Sequence, residues 1–415
     1  MMKLAPTFTS LLALVSLVAG SLTQQLNTRT IRLPLERRAN QVNAESLLAH
    51  LAQVSAKYRR GFAAYEANEG HAHPLSKPSS SKTLKRDTGD VGLMAQGVEL
   101  WYASIDVGTP AKIFTASIDT GSADLFLPSV KCGESCNGHN KYDPSSSSTA
   151  VDLHKSFVLT YGEGEVAGAQ FVDNVVIGGY EAKGQTLGAA TVYSSDFSSE
   201  NFAPDGLAGF AFESISGYAA PPLFQTLVES GQLQEAVFGV KLSATPGASE
   251  LYLGGTNTAL YQQDNLSYTP VIDAGYWEVK LDQIVRAGVP VGQLEAKSII
   301  DTGTTLIVTD TETAASYFAG IPGVASYYEE SEVLYSIPCD TIANYAPTLT
   351  FGGHPFTVSG NTFNLGPTEE GSSDCLAGVA GAEDIDFWIV GDVFLQNVYS
   401  IYDVGRLQVG FAELI

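Results

Sequence analysis

Positive charge is scarce in this chain. Only 22 Lys and Arg residues stand against 45 Asp and Glu, a formal net charge of −23 over 415 residues. A phosphate backbone needs a cationic field to bind, so nucleic acid is excluded as a partner. No G-x-S-x-G stretch occurs, which removes the usual setting of a nucleophilic serine, and no H-E-x-x-H pair occurs to hold a catalytic zinc. After the first twenty residues no apolar run is long enough to cross a bilayer, and no apolar C-terminal tail suggests a lipid anchor. Hydrophobic residues nevertheless make up 44% of the chain, enough for a sizeable core and too much for a disordered protein. The length suits two or three folding units. Glycine at 41, with Tyr and Phe at 19 each, fits β-rich segments joined by many tight turns.

The few cations are unevenly placed. Residues 21–86 carry 11 Lys/Arg against 4 Asp/Glu, whereas residues 87–415 carry 10 against 41. A basic front section on an acidic body reads as a removable, electrostatically docked segment. Ahead of it, MMKLAPTFTSLLALVSLVAGS has Lys3, a short apolar run and small residues at Ala19, Gly20 and Ser21. That is the form of a secretory signal peptide over residues 1–20, and it implies an exported, soluble protein. Secretion is the expected destination, with a vacuolar or lysosome-like compartment as the alternative. Residues 70–86, GHAHPLSKPSSSKTLKR, form a Pro/Ser-rich linker expected to stay solvated, ending in Lys85-Arg86. That dibasic pair is the preferred maturation point, so the mature chain would begin near Asp87.

Four cysteines in an exported chain suggest two disulfides. Cys132 and Cys136 are near enough to staple a small loop, and Cys339 with Cys375 would close a larger one. Four cysteines allow three pairings, and spacing does not choose among them. A metal reading of CGESCNGH, with Cys132, Cys136 and His139, lacks a fourth ligand. Neither metal nor cofactor is expected.

The tripeptide Asp-Thr-Gly occurs three times. Asp119 and Asp301 each follow a short β-branched run, Ala-Ser-Ile or Ser-Ile-Ile, and each glycine precedes a hydroxyl residue, Ser122 or Thr304. Leu207-Ala208-Gly209 ends 90 residues after Asp119, and Ile389-Val390-Gly391 ends 90 residues after Asp301. Two equal offsets indicate an internal duplication at a spacing of 182 residues, a whole domain rather than a solenoid repeat. The first copy, at Asp87, has no strand before it and reads as a chance match at a chain end.

Two such carboxylates face to face cannot comfortably carry two negative charges, so one proton is shared. The ionised group can take a proton from water, and the protonated one can support the oxygen of an attacked carbonyl. This suits amide hydrolysis in acid. Paired carboxylates also serve glycosidases, but the twin turns make that distant.

With these residues in view, the sequence resembles the pepsin-like aspartic endopeptidases of fungal type. The resemblance rests on Asp119-Thr120-Gly121-Ser122 and Asp301-Thr302-Gly303-Thr304, on LWYASIDVGTPAK and HNKYDPSSSST, and on the closing DFWIVGDVFLQNVYSIYDVGRLQVGFAEL. It implies an all-β bilobal fold with short helices and the site in the cleft between lobes. The first lobe is expected over 87–257 and the second over 258–415. It implies Asp119 and Asp301 as catalytic residues, with Gly121, Ser122, Gly303 and Thr304 supporting them. Tyr161-Gly162-Glu163-Gly164 would tip a flap over an extended polypeptide substrate, and Tyr161, Gly162 and Glu163 would touch it. IRLPLERR and Lys57-Tyr58 are similar to the family's propeptide strand and to the lysine-tyrosine pair that plugs the dyad. Lys57 is therefore the expected plug of a basic propeptide over 21–86, a segment the body binds until acid releases it. Pepstatin-type inhibitors and a monomeric state follow from the same resemblance. The family usually has tryptophan where this chain has Phe126, so the hold on the flap tyrosine is in doubt. Asn265 opens an Asn-Leu-Ser glycosylation sequon. The rival reading is a catalytically inactive pepsin-like binding protein. Such relatives damage an aspartate or its glycine, and both loops here are intact.

Overall fold

The computed structural model describes residues 30–38, 43–77, 100–161 and 164–415, the side chains of Arg37, Arg38 and Tyr161 excepted. The expected signal peptide, Lys85-Arg86, Asp87, and Gly162 and Glu163 of the flap lie outside the described residues.

Strands dominate, as the resemblance implies. The strand β1 spans Ile31–Arg38, the helix α1 Ala44–Glu69, and the strands β2 and β3 Leu100–Val107 and Lys112–Asp119. In β2, Trp101, Ala103, Ile105 and Val107 are buried and alternate with more exposed residues, the period-two pattern of a half-buried strand. It pairs antiparallel with β3, from Tyr102 opposite Ser117 to Val107 opposite Lys112.

The duplication is visible in the strand register. β3 runs parallel to Gly206–Gly209 with Ile118 opposite Ala208, and the strand Leu125–Pro128 lies antiparallel to the same segment with Leu125 opposite Ala208. In the second half Ala296–Ile300 runs parallel to Trp388–Val390 with Ile300 opposite Val390, and Ile307–Thr309 lies antiparallel with Ile307 opposite Val390. Each paired position of the second set is its counterpart plus 182, the spacing between Asp119 and Asp301. The two halves are copies of one crossing-strand unit.

Among the described residues the strands collect into sheets of thirteen, nine and four. The largest does not stop at the expected lobe division, because Val398–Asp403 pairs with Val237–Lys241 of the first half. β1 lies inside this sheet, with Ile31–Leu35 paired to Ser249–Leu253 and Glu36–Arg38 paired to β2. Arg32 reaches the buried carboxylate of Glu250 from there.

The helix α1 has no counterpart in the reading of the sequence, and at 26 residues it exceeds the short helices expected. Asn43 caps it, accepting from the Ser46 amide at 2.8 Å, and Gly70 ends it in the left-handed region at φ 77°. Leu47, Leu51, Val54, Tyr58 and Tyr65 give it a buried face. Gly61 stands where the helix crosses Tyr276: a Cβ there would lie 1.8 Å from the Tyr276 hydroxyl oxygen. The linker reading of 70–86 fails at its start. His73 and Leu75 are buried, the His73 ring stacking on Phe62 at 5.0 Å, so local polarity is overridden by an aromatic pocket. Among the described residues no helix is long and apolar enough to cross a membrane.

Candidate active site

Asp119 ends β3, and Asp301 directly follows the strand Ala296–Ile300. The chain turns sharply after each, and the turn folds donors back onto the carboxylate. Asp119 accepts from the Gly121 amide at 2.9 Å and from Ser122 Oγ at 2.5 Å. Asp301 accepts from the Gly303 amide at 2.9 Å and from Thr304 Oγ1 at 2.6 Å. Both carboxylates are buried and face each other across the two loops. A Cβ on Gly121 would lie 2.4 Å from Asp301 Oδ1, and one on Gly303 would lie 2.2 Å from Asp119 Oδ1. Only glycine leaves room for this approach.

The middle threonines join the loops, a role the reading of the sequence missed. Thr120 Oγ1 donates to the Ile300 carbonyl at 2.9 Å and accepts from the Thr302 amide at 3.0 Å. Thr302 Oγ1 donates to the Ile118 carbonyl at 2.7 Å and accepts from the Thr120 amide at 3.1 Å. Each half thereby satisfies buried backbone groups of the other. The signal available was that both copies carry threonine, not merely a turn-compatible residue, between Asp and Gly.

Lys57 lies between the carboxylates. Its Nζ donates to Asp301 Oδ2 at 2.7 Å and to Asp119 Oδ1 at 3.2 Å, and Tyr58 donates to Asp301 Oδ2 at 2.9 Å. Burial pushes both carboxyls up, but the outcomes differ. At Asp301 the charge and hydrogen bond of Lys57, with the Thr304 bond, outweigh burial and hold the group down to about 2. At Asp119 burial prevails over the more distant Lys57, and the Asp301 charge pushes in the same upward direction. Asp301 is thus the ionised partner of Lys57, and Asp119 is the carboxyl that holds a proton more readily. Burial works against the Lys57 charge, but the two aspartates raise its pKa above the usual lysine value.

The same helix meets both cleft walls. Arg59 pairs with Asp384, and Arg60 Nη1 donates to the Thr160 carbonyl at 3.2 Å. Thr160 belongs to the hairpin strands Val151–Tyr161 and Gly164–Ile177, in which Tyr161 pairs with Gly164. Phe126 is buried against Tyr193 and Phe197, ring centroids 5.9 and 5.6 Å away, a packing role rather than an exposed cleft position. Disulfides join Cys132 to Cys136 and Cys339 to Cys375. His139 Nε2 is bonded to the Phe197 carbonyl at 2.9 Å, and among the described residues no group of His, Cys, Asp and Glu could hold a metal ion. Asn265 Nδ2, the atom a glycan would occupy, donates to Gln262 and Glu413 at 3.1 and 3.0 Å.

Comparison with known proteins gives a consistent result. Residues 100–414 match the family model described as eukaryotic aspartyl protease. An aspartic protease of Phaffia rhodozyma is 40% identical over 338 residues, covering 80% of this chain and 80% of that protein. Cathepsin D of Dictyostelium discoideum is 35% identical, covering 76% and 83%. Pepsin A of Bos taurus is 30% identical, covering 76% and 84%.

Proposed function

The chain belongs to the eukaryotic aspartyl protease family and is an aspartic endopeptidase, and from that premise we propose that Asp119 and Asp301 are its catalytic dyad and that residues 21–86 are a prosegment holding it shut. The observation that carries the reading is the single lysine, Lys57, inserted from the front segment between two carboxylates supplied by duplicated loops. With the prosegment displaced, the space of the Lys57 ammonium suits a water. The ionised carboxylate takes a proton from that water, whose oxygen attacks the scissile carbonyl. The protonated carboxyl donates to the carbonyl oxygen, and the tetrahedral intermediate then loses the amine as the C–N bond breaks and the nitrogen takes up a proton. Ser122, Thr304 and the amides of Gly121 and Gly303 hold the carboxylates in place. Tyr161, Gly162 and Glu163 close over an extended peptide, and apolar side chains flank the cut.

Residues 1–20 direct export, and the enzyme acts outside the cell or in an acidic compartment, as a monomer released by cleavage near Lys85-Arg86. The basic front and acidic body support this order of events, because acid protonates the carboxylates that hold the cations. Acid incubation of the full chain with and without pepstatin, followed by N-terminal sequencing and digestion of a denatured protein, tests the reading. Asp119→Asn and Asp301→Asn each abolish proteolysis with the fold retained, while Asp87→Asn is fully active. Proteolysis that survives either of the first two substitutions would sink the dyad assignment.

A further inference from the structure

The front segment contains a second buried titratable group that the dyad chemistry does not use. His50 lies on α1 seven residues before Lys57, two turns away, so both side chains project from one face of the helix. It is 5% exposed. Its Nε2 accepts the backbone amide of Thr305 at 3.1 Å, next to Thr304, which bonds Asp301. Accepting from an N–H requires an unprotonated Nε2, so the docked histidine is neutral with its proton on Nδ1.

The charged surroundings do not offset the cost of burying a proton here. Lys57 faces His50 from the same helix, and Asp301 faces it from the loop, already committed to Lys57 and Tyr58. Asp119 and Asp196 line the same cavity as His50, beside Val54, Phe202 and Leu207. Burial, then the Lys57 charge, push the imidazole down to about 4, against a smaller upward pull from Asp301 and a hydrogen bond with Gln53. His73, the other buried histidine of the segment, is also pushed down to about 4, chiefly by burial. The amide its Nδ1 accepts, however, is that of Leu75 within the same segment, not one from the body of the protein. The His73 Nε2 has Asp273 and Glu278 carboxylates at 3.8 and 4.0 Å, and the Asp273 charge offsets only part of the burial effect.

We infer that His50 is an acid-sensitive latch whose protonation ejects it from the Thr305 amide and loosens the prosegment before Asp301, the ionised partner of Lys57, is neutralised. The inference rests on the autoinhibited reading given above. Protonation removes the acceptor, leaves the Thr305 N–H unpaired, and places a second cation beside Lys57 in a buried interface. The sign follows from linkage: the docked form disfavours the proton and the released form does not. Docking is therefore complete above about pH 6.5 and weakens as pH falls towards 4. Between pH 7 and pH 5 this one group weakens docking about 20-fold, from an ordinary histidine pKa of about 6.5 and a docked value of about 4.

The test compares the full-length zymogen with His50→Gln, whose Oε1 can accept the same amide without titrating. Fluorescent pepstatin binding is read within the time before cleavage, at pH 7 and pH 5, and normalised to processed enzyme at each pH. The ratio of site opening at pH 5 to pH 7 falls about 20-fold in the variant. A substitution that merely loosened the segment would raise opening at both pH values and leave the ratio alone. An unchanged ratio in a zymogen that is closed at pH 7 overturns the latch and spares the autoinhibited reading. A wild-type chain already open to pepstatin at pH 7 overturns both.

Discussion

Replacing Thr302 by valine keeps the shape of the side chain and removes only its hydroxyl. That hydroxyl donates to the Ile118 carbonyl and accepts the Thr120 amide, both in a region closed to water. Two buried backbone groups are then left unpaired at about 1–2 kcal/mol each, so the variant is destabilised by about 2–4 kcal/mol. For a chain of 415 residues, with an unfolding entropy of about 2 cal/mol/K per residue, this lowers the melting temperature by roughly 2–5 °C. Thr120→Val strands the Ile300 carbonyl and the Thr302 amide instead, so its effect should match. The two hydroxyls bond backbone rather than each other. The double variant should therefore lose close to the sum, although contacting residues usually couple. Calorimetry of the full chain at neutral pH, where the front segment is docked, reads all three melting temperatures. Singles that differ severalfold, or a double no worse than either single, would refute the crossed-bond account. Turnover should fall along with stability, because the same bonds aim the two carboxylates at each other.

Lys57→Met removes the charge contact shared by both carboxylates and leaves an apolar chain of similar length. Breaking a buried ion pair costs about 3–5 kcal/mol, so pepstatin access to the full chain at pH 7 rises by about 100-fold or more. Equal access in variant and wild type would show that Lys57 does not hold the segment. Between the disulfides, Cys339–Cys375 spans 36 residues and Cys132–Cys136 spans 4. Loop entropy then gives the first bridge about 4 kcal/mol and the second about 2 kcal/mol. Paired Cys→Ser variants should follow that order in urea midpoint, and the reverse order would count against the loop-entropy ranking.

The lobes and the pairing of Asp119 with Asp301 were legible because they are written twice. A strand run, a D-T-G turn and a glycine 90 residues later recur at one spacing, and the register repeats them at the same spacing. The electrostatic front segment was legible from composition alone. Its helix was not. The buried face of α1 includes Ser46, His50, Ser55 and Lys57 among its apolar residues, and this interrupts the periodic pattern. Ser46 is satisfied by the cap residue Asn43, but His50, Ser55 and Lys57 bond partners more than 60 residues away, Thr305, Glu332 and Asp119, which no local window contains. The threonine bonds were hidden for a similar reason: Thr120 suits a turn by itself, and its partner lies 182 residues on. His73 misled through its neighbours, a polar linker whose burial depends on Phe62 and Tyr65 of the preceding helix.

If Asp119 and Asp301 are the dyad as proposed, the crossed threonines also govern when in its synthesis the chain can become active. The loop of Asp119 is fastened to Ile300 and Thr302, and the Asp301 amide in turn donates to the Val390 carbonyl at 3.1 Å. A chain still emerging from the ribosome has the first aspartate but nothing to aim it. The chain must be made as far as Val390 before the two loops can be held as they are, and by then Lys57, made long before, is available to lie between the carboxylates. On the proposed dyad and plug, the order of residues along the chain is itself a safeguard: Lys57 is translated before either aspartate it lies between.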